Sequence, residues 1–169
     1  EQAGLWGDKT NTNLNILSQI VGGYNSQTVN GTGDTALAVS DGATGATVAN
    51  RIIELTGTIT GNITVSIPLD VENFYIIKNS TSGAFTVEFQ YTSGSGTSVT
   101  FSSTDKGTKF VYAKADDGTN PNIVDVFSEF SQINLVNRNE LRFQDATGGQ
   151  YVGLRAASTV GSSFTLNLP

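Results

Sequence analysis

Four acidic residues, Asp116, Asp117, Asp125 and Glu129, lie close together in the chain. Two carboxylates held a few ångströms apart could act as acid and base on a glycosidic bond. The local sequence argues for another role. Asp116-Asp117-Gly118-Thr119-Asn120-Pro121 puts Asp and Gly where a turn between strands needs them. Oxygen ligands for calcium occur in two sets, Asp8 with Asn11 and Asn13, and Asp116 with Asp117 and Asn120. Neither follows the D-x-[DN]-x-[DN]-G loop with a distal Glu, and helix capping and turn formation account for both. The chain has no His, which excludes a Ser-His-Asp triad and a His-bound metal. It has no Cys, which removes disulfides and thiol chemistry. Gly31-Thr32-Gly33-Asp34 and Gly94-Ser95-Gly96 lack the Lys of a phosphate loop, and the first carries an acid where phosphate would sit. The sequence therefore predicts no enzyme, no metal and no cofactor.

Aromatic side chains remain as candidates for sugar stacking or for packing at an interface. They are Trp6, Tyr24, Tyr75, Tyr91, Tyr112 and Tyr151. Strand periodicity sends most of them inward. Tyr91 sits beside a turn and is the expected surface glycan contact. Trp6 has an apolar body and one polar handle, which suits an interface. With Leu5, Leu14 and Leu17 it forms the expected set that anchors the chain to a partner.

These residues must be carried by elements that the spacing predicts. Leu14, Leu17, Ile20 and Val21 repeat at helical intervals, Asn11, Thr12 and Asn13 offer N-caps, and Gly22-Gly23 ends the run. This predicts one helix of two to three turns, with Leu5 and Trp6 ahead of it, inside an anchor segment 1–24. Residues 25–50 read as a Gly/Thr-rich linker with one short strand around Leu37 and Val39. Residues 51–128 carry alternating Val, Ile and Phe in about seven runs: Arg51–Leu55, Ile59–Ile67, Phe74–Lys78, Phe85–Gln90, Val99–Phe101, Lys109–Ala113 and Ile123–Phe127. Turn signals every 8–12 residues make this a β-sandwich. Phe74–Lys78 is apolar enough to predict burial on both faces. Residues 129–169 hold three strands, Glu140–Asp145, Tyr151–Arg155 and Phe164–Leu168, with Gly148-Gly149 as a hairpin signal. So small a sheet is weak alone, and repeating it around a threefold axis would bury its apolar face. No repeat of the kind that builds a long parallel β-helix is evident. The expected class is all-β.

Composition narrows the partners. The net charge is −6, and charged residues are only 14% of 169. An acidic surface without a basic run repels phosphate backbones, so nucleic acid is not expected. No apolar stretch is long enough for a membrane helix, so membrane insertion is not expected.

Several segments resemble virion fibre proteins. Leu5-Trp6-Gly7-Asp8-Lys9-Thr10-Asn11-Thr12-Asn13-Leu14 resembles the W-G-x-x-T-N-x-N opening of tail-fibre proteins of marine phages, notably cyanophages. Leu55-Thr56-Gly57-Thr58-Ile59-Thr60-Gly61-Asn62 is similar to that family's paired T-G strands, and Phe74 to Ser80 and Phe110-Val111-Tyr112 resemble later ones. Asn139-Glu140-Leu141-Arg142-Phe143-Gln144-Asp145 with Tyr151-Val152-Gly153-Leu154 and Phe164-Thr165-Leu166-Asn167-Leu168-Pro169 resembles a second fibre module. The resemblance covers about two thirds of the chain; nothing in 25–50 takes part. It implies a structural piece of a phage tail fibre, located in the virion. It implies a homotrimer, contacts with other tail or adaptor proteins, and support of host attachment through a surface glycan. A chain that begins at Glu1 and lacks Met is expected to be a piece of a longer fibre. Rival expectations are a head fibre or capsid-decorating protein, a carbohydrate-binding β-sandwich module, and a polysaccharide-cleaving tailspike.

Overall fold

The computed structural model describes residues 3–40, 43–145 and 149–163. The chain divides into two compact units, Glu1–Glu129 and Phe130–Pro169.

The first unit opens with α1, Ala3–Gly22. Strands β1 (Tyr24–Thr28), β3 (Ile52–Thr58), β5 (Asn73–Ser82), β8 (Thr108–Ala113) and β9 (Ile123–Asp125) form one sheet in that order. Strands β2 (Thr35–Ala36), β4 (Ile63–Ile67), β6 (Val87–Tyr91) and β7 (Val99–Phe101) form the other. The unit is all-β and sandwich-like, and its connectivity is distinctive. The chain makes three passes, each laying one strand in the first sheet and the next in the second. Successive passes pair in parallel: β1 with β3, β3 with β5, β2 with β4, β4 with β6. Among the described residues of this unit, β7, β8 and β9 pair antiparallel, closing its C-terminal end.

That winding bears on two expectations. No repeat of the kind that builds a long parallel β-helix was expected, and the parallel stack is only three passes deep, with Ile52–Thr58 pairing Ile76–Ser82 in register throughout. The segment 25–50 is no linker: it is the first pass. Its Val29, Leu37 and Val48 are buried in the common core, and Val29 N–H donates to the Thr56 carbonyl at 2.8 Å. A further correction concerns Phe74–Lys78. Tyr75 and Ile77 are buried while Phe74 and Lys78 are exposed, so this strand is covered on one face only.

The core is a set of columns running through the passes. Ile63 lies beside Val87, Val65 beside Phe89, and Ile67 beside Tyr91, all buried. Parallel in-register pairing keeps side-chain direction constant from strand to strand, so one alternating pattern buries every pass at once. Between passes, side chains cap the turns. Asn30 Oδ1 accepts from Thr58 N–H at 3.0 Å and Asn62 Oδ1 from Thr86 N–H at 3.1 Å. Gly57 has φ +111°, and a Cβ there would strike Asn30 and the Val29 carbonyl, so glycine is required at that turn.

Polar side chains enter this core with their bonds met, Asn79 and Tyr75 among them. Asn79 is fully buried; its Nδ2 donates to the Asp105 carbonyl at 2.8 Å, and its Oδ1 accepts from Thr81 Oγ1 at 2.7 Å. The Tyr75 hydroxyl donates to the Val48 carbonyl at 2.9 Å, and burial pushes its pKa up to about 12.

The second unit contains β10 (Leu141–Gln144) and β11 (Tyr151–Leu154), an antiparallel pair. The expected third strand at Phe164–Leu168 and the hairpin residue Gly148 lie outside the described residues.

Replacing Asn79 by Ala strips one partner each from the part-buried Asp105 carbonyl and the buried Thr81. Unsatisfied buried groups of this kind each cost about 1–3 kcal/mol. N79A is expected to lower unfolding stability by an amount in that range or slightly above, measured by denaturant titration of the intact chain.

Candidate functional site

The expected anchor residues do share one element, though not as expected. The helix begins at Ala3 rather than after Asn13, so Leu5 and Trp6 belong to it. Gly4 and Gly7 hid this start, because glycine reads as a helix breaker. Asn11 and Asn13, read as caps, are interior positions, and Thr10 and Thr12 hydroxyls donate back to the Trp6 and Asp8 carbonyls at 2.9 Å. The calcium reading fails with the cap reading: Asn11 and Asn13, two apart on a helix, point to opposite sides and cannot converge with Asp8 on one ion.

Leu5, Trp6, Leu14 and Leu17 are all exposed, Trp6 at 74%. The full helix reveals a pattern that sequence reasoning missed. Trp6, Thr10, Asn13, Leu17 and Ile20 fall at alternating four- and three-residue steps, the spacing of a coiled-coil seam. Polar Thr and Asn within such a seam set register and strand number at a cost in stability. Two glycines in its first turns further weaken the isolated helix. At its C-terminus the helix is clamped: Gly23 N–H donates to the Gln19 carbonyl, and the Gly23 carbonyl accepts from Arg51 and Ile52 N–H at 3.0 Å.

Tyr91 is not a surface contact. It is 4% exposed, its hydroxyl donates to the Val71 carbonyl at 2.9 Å, and it accepts from Ala115 N–H at 2.8 Å. Segments remote in the chain, at Val71 and Ala115, hold its hydroxyl, and at this exposure no ring face is left for a sugar.

The acidic residues serve turns. Asp117 Oδ1 accepts from Thr119 N–H at 2.8 Å and Asn120 N–H at 3.1 Å. Asp116 pairs with Lys114 at 3.0 Å and accepts from Asn122 N–H at 3.0 Å; Lys114 and these bonds hold its pKa down at about 2. Asp125 pairs with Lys109 at 2.9 Å. Among the described residues no cluster of acidic side chains could hold a metal ion.

A further polar cluster lies on the outer face of the five-stranded sheet. Glu54 Oε2 accepts from the Tyr24 hydroxyl at 2.5 Å, and its Oε1 from Ser80 Oγ at 2.6 Å and Lys78 Nζ at 3.0 Å. These donors hold the carboxylate charged, with a pKa lowered from 4.5 to about 2. The arrangement ties strands β1, β3 and β5 together.

In the second unit, nearly every described residue is exposed. Leu141 faces Leu154 and Phe143 faces Val152 across the hairpin, so four apolar side chains share one uncovered face. Arg142 and Tyr151 stack on the other, the guanidinium 4.3 Å from the ring centre. Ile133, Leu135, Leu141 and Leu154 line an open groove of about 460 Å³.

No family model matches the chain, and neither the curated proteins nor the solved structures searched contain a match. What the fold and surfaces define is an all-β unit bearing an exposed apolar helix face, with a small hairpin unit whose described apolar residues are almost all exposed.

The Glu54 carboxyl has a depressed folded-state pKa. Its stabilisation is present above the unfolded value near 4.5 and is lost as pH falls toward about 2. Glu54→Gln should flatten the stability-against-pH curve in that window and leave its shape above pH 5 unchanged, as read by thermal melts across pH.

Proposed function

We propose that the chain is a structural component of a phage tail fibre that joins the fibre to the virion and supports attachment to the host cell. It works as a homotrimer, with other tail or adaptor proteins bound at the N-terminal helix. The observation that carries this reading is the distribution of uncovered apolar side chains. Trp6, Leu14 and Leu17 on the helix, and Leu141, Phe143, Val152 and Leu154 on the hairpin, face solvent in the single chain. A two-stranded hairpin with an uncovered apolar face is at best marginally stable in water. Threefold repetition brings such faces together and removes them from water. The W-G-x-x-T-N-x-N opening and the E-L-R-F-x-D hairpin resemble the corresponding fibre segments in the same order along the chain.

A mechanical role also suits the parallel passes. Each pass is bonded to the next along a full strand, so load is spread across many backbone hydrogen bonds.

Sedimentation equilibrium of the purified chain is expected to give the mass of three copies at micromolar concentration; a single-copy mass throughout would overturn the reading. Trp6→Ala should leave the two-sheet unit's melting transition in place and weaken helix-dependent assembly at least tenfold. Loss of the two-sheet unit's own cooperative melt would instead make Trp6 part of its fold.

A further inference from the structure

The two outer faces of the sandwich differ in chemistry. The four-stranded sheet shows Thr64, Ser66, Glu88, Gln90 and Thr100 to solvent. The five-stranded sheet shows two continuous apolar rows. Tyr24, Ile52, Ile76 and Phe110 are register neighbours across β1, β3, β5 and β8. Phe74, Tyr112 and Val124 are neighbours across β5, β8 and β9. Phe127 extends the patch, its ring 5.7 Å from that of Phe110, which in turn lies 5.6 Å from Phe74. Beyond these rows, toward the other end of the same strands, the face turns polar with Ser26, Glu54, Lys78 and Thr108.

We infer that these apolar rows are a subunit interface, covered by a second copy of this chain. The inference deepens the assembly reading and rests on it. Three features favour a copy of the chain over other occupants. The first is area. Tyr24, Phe74, Tyr112 and Phe127 remain between 36% and 59% exposed. With Val124 they leave on the order of 500 Å² of apolar surface, above half of what one partner contributes to a standard interface. The second is charge. The chain carries −6 overall, so copies repel unless they meet where charge is balanced. Here Arg51 lies over Phe74 at 4.4 Å and Lys78 pairs with Glu54, so cations sit among the acids. The third is hydrogen bonding. A glycan needs free polar groups between the rings. The Tyr24 hydroxyl is already given to Glu54 and that of Tyr112 to Glu72 at 2.7 Å. A face whose polar atoms are satisfied internally fits an apolar protein surface.

The chain has no native cysteine, so single cysteines can map contact directly. Val124→Cys and Thr100→Cys place thiols on the apolar and polar outer faces. Treatment of the full chain with a short bifunctional maleimide should cross-link V124C to covalent dimers and leave T100C monomeric on denaturing gels. Phe74→Asp should raise the dissociation constant of the assembly at least tenfold by sedimentation, with Gln90→Asp as the unchanged control. If F74D fails to fold, the cysteine pair alone decides. Cross-linking through T100C but not V124C would overturn the interface. So would an unchanged dissociation constant in a folded F74D protein. In either case a wild-type trimer would leave the fibre reading standing. A wild-type monomer would sink both.

Discussion

In-register parallel pairing between successive passes is the constraint on which the first unit depends. Because Ile52–Thr58 matches Ile76–Ser82 residue for residue, an inward side chain in one pass stands beside an inward side chain in the next. A slip of one residue in β3 would turn Ile53 and Leu55 out to water, and a slip in β5 would turn out Tyr75 and Ile77. The register is held at the turns, where Asn30 and Asn62 each bond the backbone of the following pass. Asn79 and Tyr75 add polar bonds inside the core that only the correct stacking satisfies.

The same constraint explains why the unit stops where it does. A parallel stack has open edges that invite further pairing. Here β7, β8 and β9 reverse direction and end the run with short antiparallel strands. At the other end the first pass follows directly on the helix, whose terminal turn is bonded through Gly23 to the start of β3. The stack is thus coupled to the element that carries the anchoring residues, so movement of the helix end is resisted by backbone bonds.

Inward alternation was legible before any coordinates. Ile63, Val65 and Ile67, and Val87 and Phe89, are buried as their period of two requires. The parallel winding was harder to see. Its trace is Thr32-Gly33-Asp34 echoed by Thr60-Gly61-Asn62, but insertions between passes vary the offset and blur any fixed period. Residues 25–50 looked like a linker because Gly and Thr dominate them; their few apolar side chains become core only when the later passes stack on them. Tyr91 was misplaced because proximity to a turn says nothing about the remote segments that hold its hydroxyl. The helix start was missed because two glycines interrupt its pattern and Asn was taken as a cap.

The sequence alone determined that strands dominate, which positions alternate inward, that catalysis lacks a histidine or thiol, and that apolar side chains gather at the N-terminal segment and the last hairpin. These follow from local properties: side-chain size, β-branching, charge and period. Only the tertiary structure decided which strands are neighbours and whether they run parallel. It alone decided that Phe74 lies exposed and Tyr91 buried. Those outcomes depend on contacts between residues far apart in the chain. A period of two says that a side chain leaves one face of a strand, but not which segment waits there.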